Sequence, residues 1–229
     1  YIAIRRPMKT PESGTEVFAA TTQQATYPNW VTGFPVDWMF YKNIDNASGD
    51  WFTGSRLIGT DRGRLNTTDA FSASSLMQWD YMNGQGEWST TADSTAYTWN
   101  LKRATGFFDA VAYSGVNSSG SESSAIQHNL SVVPEFIICK RRNGTNGWIS
   151  YHKELNGGVN PQEYYIYLNL SSAAGGPDSV AWGTSTGGGV APTSTEFTVG
   201  GYNDNGSSGN TYIAYLFATL AGVSKVGSY

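Results

Sequence analysis

The carboxylates of this 229-residue chain are the first candidates for chemistry, because hydrolysis of a glycosidic bond needs two of them facing one another. Enzymes that carry such a pair on one β-strand space it as Glu-x-Asp-x-Glu, since alternate side chains of a strand point to one face. No such run occurs, and no Gly-x-Ser-x-Gly nucleophile turn occurs either. Asp37 and Glu135 instead open two similar apolar runs, which favours a structural or capping role. The sequence therefore predicts no catalytic residue.

The other reactive side chains are one cysteine and two histidines. Cys139 ends the apolar run Phe136–Cys139, so we expect a buried and unreactive thiol. His128 and His152 lack partners at the spacing of zinc ligands, so we expect structural or solvent-facing roles. The run Asn203–Gly206 resembles half of a calcium loop but lacks the closing Glu, and an Asn-Gly hairpin explains it. We predict no metal and no cofactor.

The composition excludes three classes of protein. Lys and Arg total 14 against 18 Asp and Glu, a net charge of −4, whereas a nucleic-acid-binding domain needs a basic excess. The longest apolar runs are far shorter than the about 20 residues of a membrane-spanning helix, so we expect no membrane insertion. Aromatic residues make up 14 % of the chain, which argues against disorder. A soluble, aromatic-rich and turn-rich protein remains.

The elements that position these side chains are predicted to be strands. Short β-branched and aromatic runs alternate with turn residues, and no stretch shows a capped helical stripe, so we predict an all-β fold with little helix. Asn-Gly pairs at residues 143, 146, 156 and 205 predict tight hairpins, because both residues tolerate left-handed backbone. The predicted strands are Val36–Tyr41, Phe108–Tyr113, Phe136–Cys139, Tyr164–Leu168, Phe197–Val199 and Tyr212–Phe217.

An internal repeat organises these strands. The run Asp37–Lys42 aligns with Glu135–Lys140, each an acid, four apolar residues and a lysine. The further matches keep the same order along the chain: Trp51 with Trp148, Leu65 with Leu168, Trp79 with Trp182, and Gly106 with Gly222. A period of about a hundred residues is too long for a solenoid and predicts tandem antiparallel β-sandwich units, jelly-roll or lectin-like. We expect the matched tryptophans to be buried in the core of each unit.

The repeat also sets the predicted unit boundaries. The first β-sandwich unit spans residues 1–105 and the second spans 106–229. Tyr1–Ile4 matches the last strand of a unit, and Val223–Tyr229 matches the first strand of a unit. We therefore expect the chain to be part of a longer array, each unit a separate small sandwich of two sheets.

Several ordered motifs resemble repeated segments of large marine bacteriophage proteins. The resembling runs are Tyr1–Pro11, Ser13–Phe18, Gly106–Tyr113, His128–Leu130, Val133–Glu135, Lys140–Arg142, Tyr212–Thr219 and Gly222–Tyr229. Those proteins are described as tail-fibre or other virion proteins, with a repeated concanavalin A-like lectin-type sandwich of unassigned function. The resemblance implies a location on the virion surface after assembly in the host cytoplasm, other virion subunits as partners, and a homo-oligomer, commonly a trimer. It supplies no catalytic motif.

Glycan binding is the activity that we expect of a lectin-like module. Sugars stack their C–H faces on aromatic rings, and neighbouring amides and carboxylates bind their hydroxyls. Aromatic residues that have no counterpart in the other unit and stand beside polar residues are the candidates: Trp30, Trp88 and Tyr202. The alternative is that these three rings fill packing gaps beneath long loops.

Three functional hypotheses follow. The first is a non-enzymatic, structural or host-adsorbing part of a phage tail fibre or another virion protein, with host-surface glycan as a partner. The second is a carbohydrate-binding or adhesin module of a secreted bacterial protein. The third is a glycan-degrading enzyme, which the missing pair of carboxylates disfavours.

Overall fold

The computed structural model describes residues 8–74, 77–86 and 91–228. Within these ranges the regular structure is strand, apart from four short 3₁₀ turns at Gly14–Glu16, Arg56–Ile58, Leu155–Gly158 and Pro161–Glu163. The predicted all-β class with little helix is confirmed. The predicted closing strand Tyr1–Ile4 lies outside the described residues.

The first half of the chain forms one main sheet and one small ribbon. Its strands are β1 (Phe18–Gln23), β2 (Trp30–Val31), β3 (Trp38–Asn43), β4 (Phe52–Ser55), β5 (Asp61–Arg64), β6 (Ser72–Ala73), β7 (Gly84–Gln85) and β8 (Asp93–Leu101). The main sheet, here called the N-terminal sheet, is antiparallel with the order β1-β8-β3-β4-β5-β6. The ribbon pairs β2 with β7.

The second half repeats this arrangement. Its strands are β9 (Phe108–Ser114), β10 (Ser123–Gln127), β11 (Phe136–Arg141), β12 (Trp148–His152), β13 (Ile166–Tyr167), β14 (Gly183–Thr184), β15 (Gly188–Gly189), β16 (Glu196–Gly200) and β17 (Thr211–Phe217). The main sheet, here called the C-terminal sheet, has the order β9-β17-β11-β12-β13. Two ribbons, β10-β16 and β14-β15, accompany it.

The strand order of the two main sheets is the same over five strands, and so are the bonds at the strand starts. The amide of Asp37 donates to Leu101 O at 2.9 Å, and the amide of Glu135 donates to Phe217 O at 2.8 Å. After the closing strand each half turns through a glycine with positive φ, Gly106 at 76° and Gly222 at 77°. These equivalent bonds follow the predicted repeat, while the boundary between residues 105 and 106 stays a prediction.

The register also agrees at the hairpin that follows each matched tryptophan. Leu65 N donates to Trp51 O at 2.8 Å, and Leu168 N donates to Trp148 O at 3.0 Å. Further along, Arg62 faces Ser72 in the first half and Tyr165 faces Gly175 in the second. Tyr165 follows Arg62, and Gly175 follows Ser72, by 103 positions, which is also the interval from Leu65 to Leu168.

The core is distributed over three clusters, and one of them joins the two halves. One cluster lies on the outer face of the N-terminal sheet and includes Met39 and Trp79, and a second lies on the outer face of the C-terminal sheet and includes Trp182. The third holds the inner faces together, with Trp38 stacked on Tyr215 at 4.2 Å between ring centroids. The two main sheets therefore bury their inner faces against each other, so the halves are in contact and are not isolated beads. The division into tandem sandwich units stays a prediction.

Equivalent faces of the two main sheets point into the shared cluster. Phe40 and its counterpart Ile138 both belong to it, as do Leu101 and its counterpart Phe217. Each sheet thus turns the same face toward the other. The contacts that these faces make are not equivalent in the two halves.

The four matched tryptophans differ in how far they are covered. Trp148, Trp79 and Trp182 are buried, as predicted, at 0 %, 7 % and 2 % exposure. Trp51 is 36 % exposed, so its prediction as a core residue is wrong. The reason is that no ring from the second half covers it.

The predicted strands agree with the structure except for one. Five of them overlap observed strands of similar length, whereas Tyr164–Leu168 reduces to the two residues of β13. A 3₁₀ turn at Pro161–Glu163 precedes this segment, and Leu168 begins the turn that follows it. The aromatic content of the run therefore reflects packing between turns rather than a long strand.

Candidate functional site

A cleft of about 590 Å³ lies where the two halves meet beside Trp51. Its apolar lining is formed by Trp38, Phe40, Trp51, Leu65, Leu168 and Leu170. The first four belong to the first half, whereas Leu168 and Leu170 belong to the second and are 46 % and 50 % exposed. The cleft is therefore an apolar surface that both halves build and neither fills.

The polar lining of the cleft consists of Asn66, Asn169 and Ser171. Asn66 Oδ1 accepts from the amide of Trp51 at 3.0 Å, and Asn169 Oδ1 accepts from the amide of Trp148 at 2.9 Å. These equivalent bonds hold both carboxamides in place. Asn169 Nδ2 and Ser171 Oγ make no hydrogen bond with the described residues, so both are available to a ligand.

Trp51 is the aromatic platform of the cleft. Its ring lies 6.4 Å from Phe40 and 5.4 Å from Trp99, centroid to centroid, and Lys42 Nζ lies 5.9 Å from its centroid. Its indole Nε1 donates to none of the described residues. The ring is thus fixed on one side by packing, while part of its surface is exposed and its N–H group has no acceptor among the described residues.

Trp148 occupies the equivalent position in the C-terminal sheet and is completely covered. Its Nε1 donates to the backbone carbonyl of Arg64 at 2.8 Å, and the ring of Phe71 lies 5.9 Å away. Lys140 Nζ lies 6.0 Å from its centroid, as Lys42 does from Trp51. Residues of the first half therefore cover the ring of Trp148, whereas the ring of Trp51 is left partly exposed.

Lys140 and Lys42 also differ in whether the opposite half contacts them. The ammonium group of Lys140 donates to three backbone carbonyls, those of Thr68 at 3.0 Å, Gly144 at 3.4 Å and Asn146 at 2.6 Å. The first of these acceptors comes from the first half. Lys42 donates to the carbonyl of Gly49 within its own half. The cross-half carbonyl has no counterpart among the described partners of Lys42.

Burial lowers the pKa of Lys140 to about 8, although the carboxylates of Asp204 and Asp69 oppose this change. The guanidinium of Arg141 acts in the same direction as burial. Burial at this position therefore destabilises the charged form of Lys140.

The ring that covers Trp148 has no aromatic counterpart in the second half. Phe71 directly precedes Ser72, and Ala174 directly precedes Gly175, which occupy equivalent places in their hairpins. An alanine methyl group is too small to cover an indole as the Phe71 ring does. This difference could have been found in the sequence by extending the repeat six residues beyond Leu65 and Leu168.

The three predicted glycan-contacting aromatics lie elsewhere. Trp30 is completely buried, so its prediction as a surface contact is wrong; its ring packs edge-on against Tyr41 at 6.0 Å. Trp88 lies outside the described residues. Tyr202 is half-buried, donates to the carboxylate of Asp178 and packs near other tyrosines, so glycan contact at Tyr202 stays a prediction.

Asp37 and Glu135 make the contacts expected of structural carboxylates. Asp37 accepts from the amide of Arg103 at 2.8 Å, and Glu135 accepts from the amide of Thr219 at 3.0 Å. Glu135 also pairs with Lys153 at 2.9 Å. Asp37 and Glu135 therefore link the starts of β3 and β11 to the residues that follow the neighbouring strands, β8 and β17.

The cysteine and the buried histidine are held in the interior. Burial raises the pKa of the Cys139 thiol to about 12, which keeps it protonated at neutral pH. His128 Nδ1 accepts from the amide of Leu130 at 3.2 Å, and its Nε2 lies 3.2 Å from the carbonyl of Thr193. Burial lowers the pKa of His128 and favours this neutral, doubly bonded form. The prediction of a buried thiol is confirmed.

The Asn203–Gly206 segment turns, but its prediction as a hairpin is wrong. It joins β16 to β17, which lie in different sheets, and the carbonyl of Tyr202 accepts from the amides of Gly206 and Ser207. In the described parts of the chain, no three His, Cys, Asp or Glu side chains cluster closely enough to hold a metal ion. No helix in the described ranges is long and apolar enough to cross a bilayer.

Comparison with known proteins gives one family. A model described as a domain of unknown function, DUF7483, matches residues 42–229, which include both the open and the covered tryptophan. No curated protein and no solved structure gives a significant match. Because the matched region is most of the sequence, the chain belongs to the DUF7483 family.

Proposed function

We propose that this chain is a non-enzymatic, glycan-binding part of a phage virion protein of the tail-fibre or adhesin type. The observation that carries the proposal is the partly exposed ring of Trp51 in a cleft with apolar walls and a rim of neutral amides and a hydroxyl. Aromatic rings bind the C–H faces of sugars, and amides and hydroxyls bind sugar hydroxyl groups. The lining therefore has the two kinds of contact that a sugar needs.

The same lining supports binding without turnover. Hydrolysis of a glycosidic bond needs two carboxyl groups at defined separations across the sugar. The described side chains that line the cleft include no carboxylate. A sugar held there would meet a platform and hydrogen-bonding groups, but no general acid.

The virion setting comes from the resemblance of the repeated motifs to marine phage proteins. In that setting, exposed platforms on a rigid β-sheet body would contact the host surface, and the remaining faces would contact other virion subunits. A secreted bacterial adhesin would use the same cleft. Imaging of labelled intact particles distinguishes the two settings, since a virion protein would be found on the particle.

The binding proposal is tested with a glycan array and a cell-adsorption assay on the full chain. Trp51→Ala is expected to abolish binding, because it removes the platform. Tyr27→Ala is the matched control, since Tyr27 is a similarly exposed aromatic outside the cleft lining. Binding that survives Trp51→Ala, or that is lost equally in Tyr27→Ala, would contradict the proposal.

A further inference from the structure

The open position at Trp51 has a filled counterpart in the same molecule, and this counterpart indicates the chemistry that completes it. At Trp148, a backbone amide carbonyl accepts the indole N–H at 2.8 Å and an apolar ring covers the indole. At Trp51, none of the described residues accepts the N–H, and the sequence counterpart of Phe71 is the much smaller Ala174. The missing parts are thus an amide carbonyl and an apolar group.

We propose that the cleft binds an N-acetylated hexosamine of a glycan, with the acetamido carbonyl accepting from Trp51 Nε1. This inference rests on the proposed glycan-binding function and names the class of sugar. The acetamido group is a secondary amide like the peptide unit that Trp148 binds. Its methyl group and the C–H face of the pyranose supply the apolar surface that faces Leu65 and Leu168.

The polar lining fits the rest of such a sugar. Asn169 Nδ2 can donate to a ring hydroxyl, and Ser171 Oγ can donate or accept. Both groups lack partners among the described residues, whereas the Asn169 oxygen is already bonded to Trp148. A sugar hydroxyl would therefore bind there without breaking an existing contact.

The charge of the lining selects a neutral sugar. No described lining side chain is charged, and the ammonium group of Lys42 behind Trp51 is buried and donates to the carbonyl of Gly49. A uronic or sialic acid would therefore bring its carboxylate to an apolar wall with no free cation in the lining to pair with it. A neutral N-acetylhexosamine carries no such penalty. The bound residue is therefore expected to belong to a neutral, N-acetylated part of the surface glycan.

The experiment compares matched pairs of methyl glycosides by saturation-transfer NMR on the full chain. The pairs are N-acetylglucosamine with glucose, N-acetylgalactosamine with galactose, and N-acetylmannosamine with mannose. We expect one acetylated member to bind at least about tenfold more tightly than its parent hexose, because it adds a buried hydrogen bond and a methyl contact. Saturation transfer should be strongest at the acetamido methyl group.

Two variants identify the contact. Trp51→Phe keeps an aromatic platform and removes the N–H donor, so it is expected to weaken binding of the acetylated sugar about tenfold more than binding of the parent hexose. Leu170→Trp places a larger ring in the cleft lining from the second half and is expected to abolish binding of both. Tyr27→Phe, at an exposed aromatic outside the cleft lining, should change neither. A thermal melt of each variant reports whether it is folded.

The outcomes separate the inference from the proposed function. Equal binding of acetylated and parent sugars, lost in Trp51→Ala, would overturn the N-acetyl assignment and leave the glycan function standing. Unchanged acetylated-sugar binding in folded Trp51→Phe would also overturn it. Binding of N-acetylalanine methylamide, a peptide mimic, but of no glycan in the array would overturn both proposals.

Discussion

Trp51 and Trp148 hold the same position in two sheets of the same order, yet one is partly exposed and the other has no exposed surface. Both lie beside a lysine at about the same distance, and both are followed by a leucine bonded to the tryptophan carbonyl. They differ in what the opposite half brings to them. Trp148 receives the carbonyl of Arg64 and the ring of Phe71, and Trp51 receives neither equivalent.

The comparison teaches that a repeated unit acquires an open surface by losing a covering residue, not by gaining a binding motif. The strand that follows Trp51, β4, pairs as regularly with its neighbour as β12, which begins at Trp148. In the second half the counterpart of Phe71 is Ala174, and the pairing of Tyr165 with Gly175 beside it is kept. A search for binding residues should therefore compare the neighbours of matched positions as well as the matched residues.

The largest effect should come from truncating the two tryptophans. Trp148→Ala is expected to reduce the free energy of unfolding by about 3–5 kcal/mol, because it removes a buried ring from the shared core. Trp51→Ala should cost about 1–2 kcal/mol, since part of its ring is already in water. Urea denaturation followed by circular dichroism measures both. Equal losses would show that the covering contacts do not distinguish the two positions.

The paired lysines should show a smaller difference. Lys140→Met leaves three backbone carbonyls without their ammonium donor and is expected to cost about 2–3 kcal/mol. Lys42→Met removes one such bond and should cost about 1 kcal/mol. The measurement is the shift of the urea midpoint at an unchanged slope. A larger loss in Lys42→Met than in Lys140→Met would break the comparison.

The smallest effect is a pH dependence confined to the covered site. The pKa of Lys140 is about 8 in the folded protein and 10.5 for an ordinary lysine. Between these values the unfolded chain binds more protons than the native one, so stability rises with pH. Between pH 8 and 9.5 we expect the stability of the wild type to rise by about 1 kcal/mol relative to Lys140→Met. The Cys139 thiol and the buried tyrosines, whose pKa values are raised by burial, lower the stability of both proteins alike over this range.

The control for this pH profile is the lysine variant itself. Lys140→Met removes the titrating group, so the rise between pH 8 and 9.5 should disappear. Lys42→Met keeps Lys140 and should retain the rise. A rise that persists in Lys140→Met would assign it to another group.

Much of the fold could be predicted from the sequence because strand formation is a local matter. The runs around Trp38, Phe136 and Tyr212 combine β-branched and aromatic residues with turn signals on both sides, and each forms a strand. The Asn-Gly pairs at residues 143 and 146 lie in the hairpin between β11 and β12. The pair at 205 does not close a hairpin, because pairing partners depend on the whole sheet.

The candidate site could not be predicted in the same way. Trp30 stands beside a polar residue in the sequence, and Trp51 stands at a repeated core-like position, but the structure buries the first and exposes part of the second. Exposure depends on which other segment covers a ring, and that segment is distant in the chain. Phe71 covers Trp148 from 77 positions away.

The sequence by itself determined the all-β class, most of the strands and the order of the repeated motifs, because these follow from residue type and spacing along the chain. Only the tertiary structure decided that the two main sheets face each other, that Lys140 is covered and that the surface beside Trp51 stays open. The physical reason is that burial is a property of surfaces in contact. Two halves with the same local pattern can pack tightly at one edge and leave a cleft at the other, because the segments that meet across the interface differ in sequence.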